Sequence, residues 1–413
     1  MSSLSEKLKA LGVQVGANDL EDSKPRTYSG HTIEEVLPGQ WVINMRGETF
    51  IVKKEYPADF QQGQVALRLS APLDIIAAWA HEPGLVDLEI ENFAFIDTET
   101  TGLMGGTGTY TFLIGVGRFK GDKFHVVQFF MQDPAHEAAQ LAALETFLAP
   151  CEAVVTFNGK AFDIPLINTR YITHGWPPLL QDTSHLDLLH LARRLWRARL
   201  PSRALGDLEY HILESTRDEK DVPGWMIPDL YFDYLRTGDA APLRSVFYHN
   251  EMDVVSMAAL LNHMTNLIAD PIDNPIEHGL DLISIGKLYQ DLGFLETAAQ
   301  TYQRGLTYDD LRKESYLDAI HKLSFLYKRR GEFENAIKLW NEAAEEGEIY
   351  AHIELAKFYE HKKRKYPKAI EWTTGAIAII NTSGFPNYER ARYLPELEHR
   401  LARLERKLDK ASP

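Results

Sequence analysis

The chain has 413 residues, with 44 lysines and arginines against 59 aspartates and glutamates, so its formal net charge is −15. This length exceeds what one hydrophobic core usually organises, and two or three domains are expected. The acidic balance argues against indiscriminate binding to polyanions, although a local basic channel is compatible with it. No apolar run reaches membrane-spanning length, the first residues lack the hydrophobic stretch of a secretion signal, and the single cysteine, Cys151, excludes an internal disulfide framework. A cytoplasmic protein is therefore expected.

The first 90 residues mix polar segments with short alternating apolar runs, at 40–45 and 49–53. Such runs are typical of strands, so residues 1–90 are predicted to be a partly β accessory region.

Residues 91–270 carry the pattern of a mixed α/β sheet. Three strands joined by turns are predicted, the first from Phe93 and the others at 111–119 and 124–131, and they form an antiparallel meander. A helix at 135–148, a buried strand at 153–157 and a second helix near 162–174 follow. Three antiparallel strands are thus followed by parallel ones, with flanking helices.

The first predicted strand ends in two carboxylates, Asp97 and Glu99, two residues apart. Side chains at this spacing share one face of a strand, so both can converge on one hard cation. Two close carboxylates repel each other unless a metal or a basic group compensates. For an isolated pair, an acidic strand end without function would be the simpler interpretation.

Two further acidic motifs lie downstream. Asp163 follows the fourth predicted strand, in the first turn of a helix, where it either approaches Asp97 and Glu99 across the sheet or complements the helix dipole. His249 and Asp253 are four residues apart in a long helical pattern, so they share one helical face. Such a pair is often a surface hydrogen bond, but three acidic motifs in this order favour a common site.

Segments 97–103, 157–163 and 249–253 resemble the three motifs of the DEDD (DnaQ-like) 3′–5′ exonucleases, and the order of elements is that of a ribonuclease-H-like sheet. Within that superfamily, residues 205–250 are similar to the bacterial YprB-type group, which adds C-terminal tetratricopeptide-like repeats. The resemblance covers about residues 91–268.

The resemblance implies that Asp97, Glu99, Asp163 and Asp253 bind two divalent ions, Mg²⁺ or Mn²⁺, which suit oxygen ligands. It further implies that Leu103 packs against the terminal base and that Asn158 contacts the substrate end. Lys160 lies beside the second motif and is predicted to approach the scissile phosphate. Thr100 and Phe162 are also predicted to bind substrate.

The residue that would act as general base departs from the family pattern. Relatives place a histidine five residues before the last aspartate, or a tyrosine four before it, whereas here His249 is four before Asp253 and Tyr248 is five before. His249 is the predicted base, because histidine titrates near neutral pH. Tyr248 is the alternative, and an inactive site is a third possibility.

Arginines cluster around Trp196 in segment 193–203. Arg193 and Arg197 are predicted to bind substrate phosphates and Trp196 to stack on a base, although a solvated helical face explains the cluster equally well. Asp187 is predicted to cap a helix, with support of the site as the alternative.

Residues 271–413 contain an internal repeat. Leu288, Tyr289, Gly293, Ala298 and Tyr302 recur as Leu326, Tyr327, Gly331, Ala336 and Trp340, and more loosely at Phe358, Tyr359, Ala369 and Trp372. Periods in the thirties indicate helix-turn-helix units of tetratricopeptide-like type. Residues 388–408 are amphipathic and predict a capping helix. The repeats would bind a protein partner or brace the catalytic domain.

The sequence therefore predicts a metal-dependent nuclease, a 3′–5′ exonuclease acting on single-stranded DNA or RNA by a two-metal mechanism. The alternative is a weakly active or inactive scaffold that binds nucleic-acid ends and recruits partners through its repeats.

Overall fold

The computed structural model describes residues 30–102 and 108–411. Its strands are β1 (Gly39–Asn44), β2 (Gly47–Pro57), β3 (Gln61–Gln62), β4 (Val65–Ala66), β5 (Phe93–Thr100), β6 (Thr111–Lys120), β7 (Lys123–Phe130), β8 (Ala153–Thr156) and β9 (Ser184–Asp187). The helices up to residue 269 are α1 (Ile33–Val36), α2 (Asp74–Ala80), α3 (Glu137–Leu148), α4 (Asp163–Thr173), α5 (Leu188–Trp196), α6 (Leu205–Leu208), α7 (Ile227–Thr237) and α8 (Leu243–Ala269). Those that follow are α9 (Gly279–Asp291), α10 (Leu295–Gly305), α11 (Lys313–Arg330), α12 (Phe333–Glu345), α13 (Ile349–Lys357), α14 (Tyr366–Ile380) and α15 (Asn387–Ala411).

Seven strands form one mixed sheet in the order β1-β2-β7-β6-β5-β8-β9. Neighbouring strands from β1 to β5 are antiparallel, whereas β8 and β9 run parallel to β5. The predicted mixed sheet is confirmed, and β1 and β2 from the N-terminal region extend it at the β7 edge. Because β5 is central, its first half, Phe-Ala-Phe-Ile, is buried on both faces, and its polar end lies where the sheet opens.

Helix α8 packs across the sheet at unusually short range. A Cβ atom at Gly117 of β6 would lie 2.6 Å from Cγ1 of Val254, and one at Gly115 would lie 2.2 Å from Oδ1 of Asn250. Real Cβ contacts do not reach these distances, so the two glycines permit the approach of the helix. The polar part of α8 is thereby held over the end of β5.

The chain beyond residue 270 is helical as far as it is described, from α9 to α15, and each helix packs on the next. Equivalent positions of the sequence repeat are structurally equivalent: Ala298, Ala336 and Ala369 are fully buried. Gly293 and Gly331 both adopt positive φ in the turn between two helices. The predicted C-terminal helical region is confirmed.

One continuous hydrophobic core joins the sheet to these helices. It contains Phe95 of β5, Leu260 of α8, Leu282 of α9 and Leu323 of α11. An ion pair between Arg199 and Asp281 (Nε to Oδ1, 2.8 Å) supports the same junction. The first repeat helices therefore buttress the sheet domain. Among the described helices, none has the length and apolarity needed to cross a lipid bilayer.

Candidate active site

The carboxylates of Asp97 and Glu99 lie at the end of β5, between the antiparallel partner β6 and the parallel partner β8. Both side chains are partly buried. Nδ2 of Asn250 donates to the Asp97 carboxylate (2.8 Å) and to the Asp97 carbonyl oxygen (3.2 Å). The fully buried Asn250 thus fixes the first motif to helix α8.

Asp163 reaches the same end of the sheet from the first turn of α4. The hydroxyl of Thr98, between the two β5 carboxylates in sequence, donates to the Asp163 carboxylate. The preceding loop is held separately: the backbone amides of Asn158 and Lys160 donate to the Asp187 carboxylate (2.8 and 3.0 Å). Asp187 also caps α5 by accepting from the amide of Leu189 (3.0 Å), which confirms the predicted cap and adds a supporting role beside the site.

The third motif lies on α8, where His249 and Asp253 share one face as expected. Their closest side-chain atoms, Nε2 and Oδ2, are 3.7 Å apart. Nδ1 of His249 lies 2.8 Å from Oδ1 of Asp221. A carboxylate on one ring nitrogen orients the imidazole and leaves the other nitrogen facing Asp253. The Tyr248 hydroxyl instead accepts from the amide of Asp218 (3.2 Å).

Arg217 brings a positive charge into this group of acids. Its guanidinium forms a bidentate ion pair with the buried Glu209 (2.7 and 2.6 Å) and a further ion pair with Asp253. Its Nη1 atom also lies 3.2 Å from Nδ1 of His249 and 3.5 Å from the Asp221 carboxylate. Arg217 therefore compensates part of the negative charge at Asp253.

The compensation is incomplete, as the pKa values of the acids show. Burial, followed by the charges of Asp253 and Asp163, raises the pKa of Asp97 well above its ordinary value, although the Asn250 hydrogen bond opposes this. Burial and then the charge of Asp97 raise the pKa of Glu99. Burial likewise raises the pKa of Asp163 to about 6, against the Thr98 hydrogen bond. These groups lack a sufficient counter-charge.

The described side chains as they stand do not place three His, Cys, Asp or Glu residues in an arrangement that would hold a metal ion. The donor chemistry nevertheless fits a hard cation. The converging groups are oxygen donors, and within residues 30–102 and 108–411 the Glu99 carboxylate has no hydrogen bond or ion pair. A partly buried carboxylate without a partner, beside others with raised pKa values, is the electrostatic condition under which a divalent ion binds.

A cleft of about 510 Å³ opens beside Asp253 and His249, walled by the segment from Leu205 to Gly224. Arg217, Asp221 and Glu209 all belong to this segment. The sequence offered no periodic signal for these three residues. Arg217 and Asp221 contact side chains of α8, Glu209 contacts Arg217, and these contacts depend on the tertiary fold.

The remaining residues predicted to bind substrate differ in their exposure and in their contacts. Phe162, next to Asp163, is 54% exposed, and Nζ of Lys160 lies 3.4 Å from the Glu82 carboxylate. Thr100 donates to the carbonyl oxygen of Gly102 (3.0 Å), and Leu103 lies outside the described residues.

The arginine cluster requires a correction. Arg193 and Arg197 are exposed, but Trp196 is fully buried in the main core. Its ring lies on the apolar face of α5, opposite the arginines, and so cannot stack on a base.

Comparison with known proteins identifies the superfamily of the sheet domain. Residues 94–265 match the model of the RNase H superfamily, and this segment contains all three acidic motifs. The chain thus carries an RNase H-like domain, and members of this superfamily usually hydrolyse phosphodiester bonds of nucleic acids.

A relative that matches over most of both chains shows the particular family. The chain is 33% identical over 368 residues to a protein of Bacillus subtilis (strain 168) named "Uncharacterized protein YprB", and the match covers 86% of this chain and 84% of that protein. The chain therefore belongs to the YprB family. A solved structure, the family B DNA polymerase of the archaeon Pyrobaculum calidifontis, is similar over 56% of this chain and 29% of its own, with 15% identity and a TM-score of 0.33.

Proposed function

We propose that this protein is a metal-dependent nuclease of the DEDD type, which removes nucleotides from a 3′ end. The observation that carries the proposal is the convergence of Asp97, Glu99, Asp163 and Asp253 from three separate segments. Burial and the neighbouring carboxylates, Asp253 among them, raise the pKa values of Asp97, Glu99 and Asp163, because these acids lack a sufficient counter-charge. Buried acids of this kind are costly, and a protein that only binds nucleic acid gains nothing from them.

Asp97, Glu99, Asp163 and Asp253 would hold two Mg²⁺ or Mn²⁺ ions. Such ions activate a water nucleophile and stabilise the leaving oxygen of a phosphodiester. For Asp253 to bind a metal ion with the other three acids, its ion pair with Arg217 has to break, or its carboxylate has to contact Arg217 and the metal ion at the same time. Asn250 and Thr98 hold two of the carboxylates in place, which lowers the cost of organising the site.

His249 is the proposed general base. Asp221 on Nδ1 orients the ring so that Nε2 faces the carboxylates, where it can accept a proton from water. Tyr248 has its hydroxyl engaged by the Asp218 amide, and this favours His249 over the tyrosine.

A second candidate function is a weakly active or inactive scaffold that binds nucleic-acid ends. The ion pair between Arg217 and Asp253 favours it, as does the position of His249 one residue from the family pattern. In either case we propose that the helices after residue 279 are tetratricopeptide-like units, which brace the sheet domain and offer a surface to a protein partner.

One assay separates the two functions. The full chain is incubated with 5′-labelled single-stranded DNA or RNA in Mg²⁺ or Mn²⁺, beside Asp97→Asn and the matched control Asp409→Asn at an exposed site in α15. A ladder of single-nucleotide steps that disappears in Asp97→Asn and persists in Asp409→Asn supports the exonuclease. Oligonucleotide that is bound but uncut with either metal supports the scaffold.

A further inference from the structure

A basic groove of about 950 Å³ lies between the sheet domain and the C-terminal helices. Six cationic side chains line it: Arg193, Arg194, Arg197, Arg203, Lys287 and Lys322. Asp318 is the carboxylate among the described lining residues. This concentration of positive charge contrasts with the net charge of −15 for the whole chain.

Both domains build the groove. The arginines come from α5 and the segment after it, whereas Lys287 lies on α9 and Lys322 on α11. Arg194 and Lys322 are partly neutralised by Asp291 and Asp318. Within the described parts of the chain, Arg193, Arg197 and Lys287 are exposed and form no ion pair, so their charges are available to a ligand.

Two chain segments that line the groove also contact residues beside the candidate active site. Asp187, which holds the loop before Asp163, caps the N-terminus of helix α5, and Arg197 follows the last residue of that helix. A rise of about 1.5 Å per residue places Arg193 roughly 9 Å along the helix from Asp187, and Arg197 lies one turn beyond Arg193. A second connection runs through Lys160, which pairs with Glu82, three residues after the groove residue Trp79.

We propose that this groove binds the phosphate backbone of a single-stranded polynucleotide whose end lies at the carboxylates. The inference rests on the proposed function, since it places the remainder of the same substrate strand. Arginine and lysine bind successive phosphates without reading sequence, and the partly exposed Trp79 gives a base an apolar wall. The helical repeats then take part in substrate binding themselves, through Lys287 and Lys322.

The test is a charge reversal with one residue from each domain, Arg197→Glu/Lys287→Glu. The matched control, Lys338→Glu/Lys410→Glu, changes the net charge equally at exposed lysines that do not line the groove. Binding of the full chain to 5′-fluorescein oligo-dT and oligo-rU is measured by anisotropy in EDTA, with strands of roughly 4 and about 20 nucleotides.

The groove variant is expected to bind the longer strand about tenfold or more weakly than the control, with a salt slope reduced by about 1.4, because two phosphate contacts are lost. The short strand should be bound equally by both. Weaker binding of the groove variant to long oligo-dT or long oligo-rU supports the proposal. Equal affinity of both variants for the longer strand would overturn the proposal. Binding of polyglutamate in place of any oligonucleotide would assign the groove to an acidic protein and overturn it too.

Failure here is distinguishable from failure of the nuclease proposal. If neither metal supports cleavage but charge reversal still weakens binding, the groove stands and the nuclease does not. If the longer strand is cut and charge reversal changes neither its affinity nor its KM, the nuclease stands and the groove does not.

Discussion

Arg217 forms an ion pair with Asp253, 36 residues later in the chain, and so attaches the wall of the cleft to helix α8. The same guanidinium donates two hydrogen bonds to the carboxylate of Glu209, a residue that is 2% exposed. The contact joins two distant segments of the chain and engages one of the proposed metal ligands.

Replacement of Arg217 by methionine should therefore destabilise the protein. It leaves Glu209 as a buried carboxylate without its cation, and breaking such a pair costs about 3 to 5 kcal/mol. Urea denaturation measures the free energy of unfolding. The double variant Arg217→Met/Glu209→Gln should recover much of the loss, because Glu209 is then no longer a buried charge without its cation. If the double variant is as unstable as Arg217→Met, the ion pair is not the cause.

His249→Ala is expected to lower kcat by about 10²- to 10⁴-fold, the range of a lost general base, whereas Tyr248→Phe should retain activity. Single-turnover cleavage of a 5′-labelled strand at saturating metal compares the two variants. Asp221→Asn should lower kcat as well, by less than His249→Ala, since it removes the group that orients the ring. Equal losses for His249→Ala and Tyr248→Phe would contradict the assignment of the base.

Asp163→Asn should stabilise the metal-free protein at neutral pH. The pKa of Asp163 is raised to about 6 by burial, so in the folded state this carboxyl binds its proton more tightly than in the unfolded chain, where its pKa is 3.8. Its destabilising effect is absent below pH 3.8, grows as the pH rises through 6 and is complete above it, with an upper limit of about 3 kcal/mol. Urea denaturation should show a gain at pH 7.5 that shrinks towards pH 4. A gain that does not vary with pH would show that Asp163 does not titrate in this range.

Gly115→Ala should impair the site without changing any ionisable group. The new Cβ atom would meet the side chain of Asn250 at 2.2 Å and displace it from the Asp97 carboxylate. Overpacking of this kind costs about 1 to 3 kcal/mol, and activity should fall with stability. The same substitution in an Asn250→Ala background should cost less, because the clash is gone. Equal costs in both backgrounds would exclude Asn250 as the residue that is displaced.

The sequence by itself determined four central strands of the sheet and the residues of its three acidic motifs, but not that β1, β2 and β9 join the same sheet. Apolar periodicity fixes where β5, β6, β7 and β8 lie, since each must bury one or both faces. Because side chains alternate along a strand, Asp97 and Glu99 lie on the same face of β5. Because a helix turns once in about 3.6 residues, His249 and Asp253 lie on the same face of α8. These are local relationships, which is why a pattern in the chain can reveal them.

Only the tertiary structure decided what surrounds those acids. Arg217 and Asp221 belong to a segment without periodicity, and their roles depend on contacts with α8 across long sequence separations. The role of Trp196 also depended on the tertiary structure. Trp196 lies among arginines in the sequence, but the apolar face of α5 is buried and the Trp196 ring packs in the core. The basic groove likewise exists only because α9 and α11 pack beside α5. Charge placement and burial are properties of surfaces that form after the chain has folded, whereas strand and helix patterns are set by neighbours in sequence.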